Sequence, residues 1–348
     1  MSSRPALPLL LAALAGCSAA PPREIVFGSC LNAVEHPMLD RTLALPMDLF
    51  LFTGDNVYAD TLDMAVMRRK YDALKESRFF RGLRERAPVL ATWDDHDLGA
   101  NDGGGDYPKK REAQEEFLRW LDAPAGDVRR TREGVYDARV LGPPGRRVQV
   151  ILLDTRYFRS PLKRGPHEAR PSGGPWVPND DPGAAMLGEA QWRWLEAELR
   201  RPAELRLVVS SVQFAAEHHG GESWANLPRE RERMLRLIGE TRAAGVLFIS
   251  GDRHWCELSR IEGPLGYPIY DLTASAMTQR HPRGTPTPNR HRVSIGTWHA
   301  PSVGRLRIDW DAADPRLRLE ILDESGILRM SHDLSLGQLR PPGERTGR

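Results

Sequence analysis

The amino-acid sequence predicts an α/β fold with a largely buried sheet, and two observations carry that prediction. Short apolar runs recur along the chain, each closing on small and polar residues: EIVFGSC (24–30), DLFLFTGD (48–55), PVLATWDD (88–95), VQVILLDTR (148–156), LRLVVSSVQ (205–213) and AGVLFISGDRH (244–254). Between them lie helical patterns rich in Arg, Glu, Leu and Trp, at 61–81, 109–122, 188–201 and 228–243. Apolar runs of strand length alternating with amphipathic helices place a sheet between covering layers. Pro228 ahead of RERERMLRLIG is a good helix start, because its fixed φ suits the first helical position and its missing N–H is not needed there.

Two stretches interrupt the alternation. Residues 159–187 and 274–303 are long loops rich in Pro and Gly; loops of such length carry function or lack order. The first is expected to cover a cleft and to set a preference among substrates. After the second, GRLRIDWDAADPRLRLEILDESG alternates as two strands around an Asp-Pro turn. With no repeat and no boundary in sight, residues 24–338 read as one domain and 339–348 as a disordered tail.

The N-terminus reads differently. MSSRPALPLLLAALAGCSAAPP has one positive charge and then an apolar stretch too short to span a membrane, which is the pattern of an export signal. LAGC (Leu14 to Cys17) resembles the bacterial lipobox. That resemblance implies a signal peptide at 1–16, a lipid on Cys17 and a tether at 17–23, so an exported, lipid-anchored protein on a bacterial membrane is expected. Plain cleavage near Ala19 or Ala20 is the alternative. With 49 Lys+Arg against 47 Asp+Glu, the net charge is +2 and no long basic run precedes the tail. Composition therefore offers no electrostatic case for a nucleic-acid partner; a monomer is expected.

The apolar runs end on chemistry. They deliver Gly28-Ser29-Cys30, Gly54-Asp55-Asn56-Val57-Tyr58, Asp94-Asp95-His96-Asp97, Asp154 with Arg156, and Gly251-Asp252-Arg253-His254. Ligands in open α/β sheets sit beyond the carboxyl ends of strands. Carboxylates gathered there repel one another, and bound cations turn that repulsion into affinity.

FGSC, LFTGDNVYAD, ATWDDHDLGAND, LDTR, ESWANLPRERERML, SGDRHW and DLTASAMTQ, in this order, resemble the PhoD-like alkaline phosphatases, a branch of the calcineurin-like metallophosphoesterases. The resemblance covers almost all of 24–323 and implies a four-layer α/β/β/α sandwich with a metal site at the strand ends. It implies Cys30, Asp55, Tyr58, Asp95, Asp252 and His254 as metal ligands, with Asp55 bridging two metals. The implied metals are Fe³⁺ and Ca²⁺, with Mn²⁺, Mg²⁺ or Zn²⁺ as alternatives. His96 is implied as general acid or as a stabiliser of the leaving group, with Asp97 orienting its ring, and Asn101 as a ligand or phosphate contact. Arg156 is the candidate phosphate clamp, since a guanidinium matches phosphoryl oxygens bidentately, and Trp224 a residue of the substrate cleft. The implied activity is hydrolysis of small phosphate esters by metal-activated water. A phosphodiesterase acting on phospholipid or polymer is the runner-up, and a non-catalytic surface lipoprotein that kept the fold is the reading from another class.

Bland roles suit other residues. Cys256 reads as packing, although an exported protein with two body cysteines also permits a Cys30–Cys256 disulfide. Asp94 reads as a capping or supporting group, Asp102 and Asp106 as turn residues, and Asp60 and Asp63 as helix N-terminal charges. His281, His291 and His299 read as surface residues, and EHHGGESW (217–224) as either a metal arm or a solvated loop.

Overall fold

The computed structural model describes residues 20–166, 174–217, 220–263, 265–281 and 288–341. The lipobox with Cys17, His218 and His219, and residues 167–173 of the first long loop lie outside the described residues. In chain order the first half contains β1 (Glu24–Gly28), α1 (Pro37–Leu43), β2 (Leu49–Thr53), α2 (Met64–Glu76), α3 (Arg78–Arg86), β3 (Val89–Thr92), α4 (Asp95–Leu98) and α5 (Lys110–Trp120). Then follow β4 (Asp137–Leu141), β5 (Val148–Leu152), β6 (Lys163–Arg164), β7 (Trp176–Val177), α6 (Gly188–Leu199), β8 (Leu205–Ser210) and α7 (Pro228–Glu240). The chain continues through β9 (Val246–Ser250), β10 (Glu257–Ile261), β11 (Ile269–Thr273), β12 (Ser302–Asp309), β13 (Arg316–Asp323) and β14 (Leu328–Ser335).

Two six-stranded sheets form the centre, in the orders β14-β13-β12-β1-β2-β3 and β10-β11-β9-β8-β5-β4. Parallel strands form one side of the first sheet, β1-β2-β3, and the middle of the second, β11-β9-β8-β5, and antiparallel strands complete both. Side-chain alternation then dictates the layers. Ile25, Phe27, Leu49 and Leu51 join the strands of the second sheet in one core cluster. Their neighbours Val26, Phe50 and Phe52 point the other way, into a cluster with Met67, Tyr71, Phe79, Phe80, Phe117 and Trp120 of α2, α3 and α5. Beyond the second sheet, Trp192 and Leu195 of α6 and Met234 and Ile238 of α7 close the far side. Period-two strands with both faces apolar produce this helix-sheet-sheet-helix stack.

Each apolar run becomes a strand, shorter than its sequence pattern because the polar residues at its end leave the ladder. The single helix expected at 61–81 is two. Ser77 ends α2 and caps α3, its hydroxyl accepting from the Phe80 amide at 3.1 Å. The expected tail is ordered at its start, with Leu339 buried and its carbonyl accepting from the Gly245 amide at 2.7 Å; 342–348 lie outside the described residues.

Phe27 and Gly304 are register partners across β1 and β12, and the phenyl ring covers the glycine. A Cβ on Gly304 would stand 2.2 Å from Phe27 Cε2. Gly304→Ala is expected to lower stability by about 1–3 kcal/mol through this overpacking. Urea unfolding measures it; an unshifted midpoint would mean that Phe27 has room to move.

Candidate metal centre

The five expected strand ends converge on one pocket. The chain turns sharply after three of them, β1, β2 and β9: Cys30, Asp55, Asp252 and His254 all adopt left-handed backbone, with φ of 58°, 51°, 64° and 55°. Such values are uncommon for non-glycine residues and gather where surrounding packing over-determines them. Gly54 permits the closest approach, since a Cβ there would lie 2.7 Å from Asp94 Cβ. The third strand end is a short helix. Asp94 caps α4, and the Asp97 carboxylate returns to accept from the Asp94 amide at 3.0 Å.

At one end of the pocket a thiol, a carboxylate, a phenol and an imidazole form a continuous chain. Cys30 Sγ donates to Asp55 Oδ2 at 3.3 Å, Tyr58 OH donates to the same oxygen at 3.3 Å, and Tyr58 OH lies 3.0 Å from His254 Nε2. Donor atoms of Cys30, Asp55 and His254 fall within 4.8 Å of one another. So do those of Asp55, Asp95 and His96, those of Asp94, Asp95 and Asp252, and those of Asp95, Asp102 and Glu222. Asp55 links the first two groups and Asp95 the last three, so the groups overlap along one pocket. Cys30 and Cys256 are both free and buried, which leaves the Cys30 sulfur available.

Burial sets the electrostatics. It raises the thiol of Cys30 and the phenol of Tyr58, and with neighbouring Cys30 and the acids it holds Asp55 well above the usual carboxylate range. Asp252 is raised well above that range by burial, against the pull of Arg253. Burial also lifts Asp94 to about 7, against Arg156, and Asp97 to about 6, against the amides it binds. Burial opposes charge on Asp95 too, yet Arg156 and His96 keep it lowered. Several acceptors remain buried without hydrogen-bond partners: Asp55 Oδ1, Asn56 Oδ1, Asp94 Oδ2 and Asp95 Oδ1. Buried acceptors without partners are rare and costly. A hard cation would satisfy the carboxylates among them, and the thiol and phenol beside Asp55 would suit a softer or more highly charged ion. The donor set therefore fits the metals that the motif resemblance implies.

Four expectations change. Arg156 does not face the cleft. Its guanidinium is completely buried, binding Glu222 through both terminal nitrogens at 2.8 Å, Asp94 through Nε, and lying 3.6 Å from Asp95. With its donors engaged it is a charge-balancing hub, not a phosphate clamp. Trp224 is also buried, packed against Trp192 and Phe214 with Nε1 donating to Ser210 Oγ at 3.0 Å, and so belongs to the core, not the cleft. Asp97 does not orient His96; its oxygens accept from the amides of Asn56, Val57 and Asp94 and from Tyr71 OH. That task falls to Asp60, whose oxygens lie 2.7 and 2.9 Å from His96 Nδ1, while the Tyr58 ring packs against the imidazole at 4.1 Å. Asp63 does cap α2 as expected.

Asn101 is exposed on the turn after α4. Asp102 is more than a turn residue: Oδ2 accepts from Trp176 Nε1 at 2.9 Å, which ties β7 of the long loop to the pocket rim. Two residues at the pocket were given no role there from the sequence: Asp60, read as a helix N-terminal charge, and Arg253. Arg253 stood in view between two expected ligands in SGDRHW.

Comparison with known proteins assigns the chain a family and a fold. The family model for PhoD-like phosphatases matches residues 25–289, and the chain belongs to that family. Alkaline phosphatase D of Bacillus subtilis (strain 168) is 22% identical over 222 residues, which is 56% of this chain and 36% of that protein. The chain thus matches little more than a third of that relative's length. The solved structure of PhoD superposes with a TM-score of 0.69 at 15% identity, covering 91% of this chain and 69% of that one, and so shares its fold. The 5'-nucleotidase precursor from Thermus thermophilus gives a TM-score of 0.38 at 14% identity, covering 93% and 57% of the two chains, which is too slight to carry an argument.

Arg156→Gln would leave Asp94, Asp95 and Glu222 facing one another without a buried cation. A loss of about 3–5 kcal/mol is expected, as for other broken buried ion pairs. Chemical unfolding reads it; wild-type stability in the variant would return Arg156 to a role in binding.

Proposed function

We propose that this protein is a metal-dependent phosphoesterase that releases phosphate from small esters outside the cytoplasm. The observation that carries the reading is the run of buried donors from Cys30 through Asp55 and Asp95 to Asp252, with oxygens of Asp55 and Asp95 lacking hydrogen-bond partners and with burial drawing Cys30, Asp55 and Asp252 toward neutrality. Membership of the PhoD-like phosphatases and the name of the Bacillus relative support the phosphate-ester chemistry. Cys30, Asp55, Tyr58 and His254 would hold one ion, with Fe³⁺ favoured by thiolate and phenolate. Asp55, Asp95 and Asp252 would hold another, with Ca²⁺ favoured by oxygen donors and Mn²⁺, Mg²⁺ or Zn²⁺ as alternatives. When bound, such ions supply positive charge to the phosphoryl oxygens and activate a water for attack.

The chain's own residues supply the rest. Asp60 holds His96 through Nδ1 and leaves Nε2 free; as an imidazolium, His96 would give its Nε2 proton to the departing alkoxide and end as the neutral ring whose Nδ1–H donates to Asp60. Asp97 holds the Asn56 and Val57 amides, which keeps the loop carrying Asp55 in register with α4. Export and lipid anchoring are proposed on the N-terminal sequence alone. Among the described residues no helix is long and apolar enough to cross a membrane.

Elemental analysis combined with a panel of phosphate monoesters and diesters tests the reading. Asp55→Asn is expected to lose bound metal. His96→Ala is expected to keep metal and fold but lose about 100-fold or more in turnover. Wild-type protein that binds no metal and turns over no ester would favour a scaffold that has lost catalysis.

A further inference from the structure

The geometry points to Arg253 as the residue that grips the phosphoryl oxygens of the substrate, an inference that deepens the phosphoesterase reading and rests on it. Among the described residues three arginines reach the acidic groups of the pocket: Arg156, Arg159 and Arg253. Arg156 is enclosed by Asp94 and Glu222. Arg159 is 2% exposed, 3.2 Å from Glu222, and donates to the carbonyls of Asp102, Gly103 and Ser160. Neither has a face to offer a ligand.

Arg253 differs in its exposure and in how little its terminal nitrogens are engaged, while sharing with Arg159 an Nε without a partner. Its one polar side-chain contact among the described residues is long, 3.4 Å from NH1 to Asp252 Oδ2, and its Nε is buried without a partner. Its side chain retains 14% exposure. It stands between Asp252 and His254 on the turn that carries both to the metal centre, a turn tightened by the Arg253 amide donating to Gly251 O at 2.7 Å. The guanidinium packs over Trp255 at 4.5 Å, which fixes its plane while leaving its edge free to donate. Space for it comes from Gly221: a Cβ there would lie 2.4 Å from NH1. A planar cation with unused donors, held rigid beside the donors of a metal centre, matches two oxygens of a phosphoryl group bidentately.

Two variants separate position from charge. Arg253→Gln removes the cation. Gly221→Ala keeps the charge but displaces the guanidinium, and the atoms it meets are the far end of a long side chain, so the fold can accommodate it. The probes are inorganic phosphate, titrated by calorimetry into the metal-loaded protein, and p-nitrophenyl phosphate for KM and kcat. Metal content and the unfolding midpoint are read on every variant. Arg253→Gln is expected to weaken phosphate binding and raise KM by about 10- to 100-fold, as for lost hydrogen bonds to a charged group. Gly221→Ala is expected to move both quantities in the same direction by less, and Arg253→Lys to fall between wild type and Gln. Metal content should hold throughout. Equal phosphate affinity in wild type and Arg253→Gln, no phosphate binding by wild type, or loss of metal from Arg253→Gln would each overturn the assignment. Phosphate held through Arg253 with no ester turned over would keep the assignment and defeat the phosphoesterase reading.

Discussion

The rest of the structure answers to one constraint, the burial of many acidic side chains where two sheets meet. Asp55, Asp94, Asp95 and Asp97 are each 2% exposed or less. Ionised carboxylates removed from water are strongly unfavourable unless paired. The protein meets this in two ways. Asp97 is surrounded by three backbone amides and a tyrosine hydroxyl. Asp94 and Asp95 share the charge of Arg156 with Glu222. What these devices leave over, the partnerless oxygens of Asp55, Asp94 and Asp95, is what a cation would neutralise.

Bringing those groups together imposes a cost on the backbone. Four residues of the centre stand in left-handed conformation directly after their strands, where an extended chain would carry their side chains past the pocket. Parallel strands hydrogen-bonded on both sides, such as β2 between β1 and β3 and β9 between β11 and β8, resist displacement. The strain is therefore held by the sheets and not by the loops that carry it. The pocket's shape is a property of the scaffold, with thiol, phenol and imidazole already linked through the Asp55 carboxylate in one hydrogen-bonded chain.

The parts of this arrangement legible in sequence are those with local signatures. Apolar runs of strand length expose β1, β2, β3, β5, β8 and β9, and the polar residues closing them expose the donors. The outer strands of the second sheet, β10 with β11 on one side and β4 on the other, were not legible. β11 carries Asp271 in its middle, which breaks an apolar pattern, and only the fold shows why that is tolerated: its oxygens accept from the Phe214 and Ala215 amides and from Ser250. α1 is a seven-residue helix, too short for periodicity to speak. Role assignment failed where it depended on burial. Asp97 is adjacent to His96 in sequence, but consecutive residues on a helix point about 100° apart, and the true partner, Asp60, arrives from the loop after β2. Arg156 has the right chemistry for a clamp, yet its engagement with Asp94 and Glu222 is tertiary and leaves no trace in composition.

Charge balance explains why the two arginines cannot exchange tasks. Arg156 lies among Asp94, Asp95 and Glu222, and burial alone would favour its neutral form; those three acids outweigh burial and keep it cationic. Releasing it toward a ligand would return their mutual repulsion to the core. A phosphoryl group bound as proposed would add further negative charge at the mouth of the same pocket, so whatever received it would have to be positive and owe little to the protein's own carboxylates. Arg253 meets that condition because its contact with Asp252 is long and its orientation is maintained by the Trp255 ring instead of by acids. An aromatic support fixes direction without consuming hydrogen-bond donors, and that separates a guanidinium built to hold the fold from one able to hold a substrate.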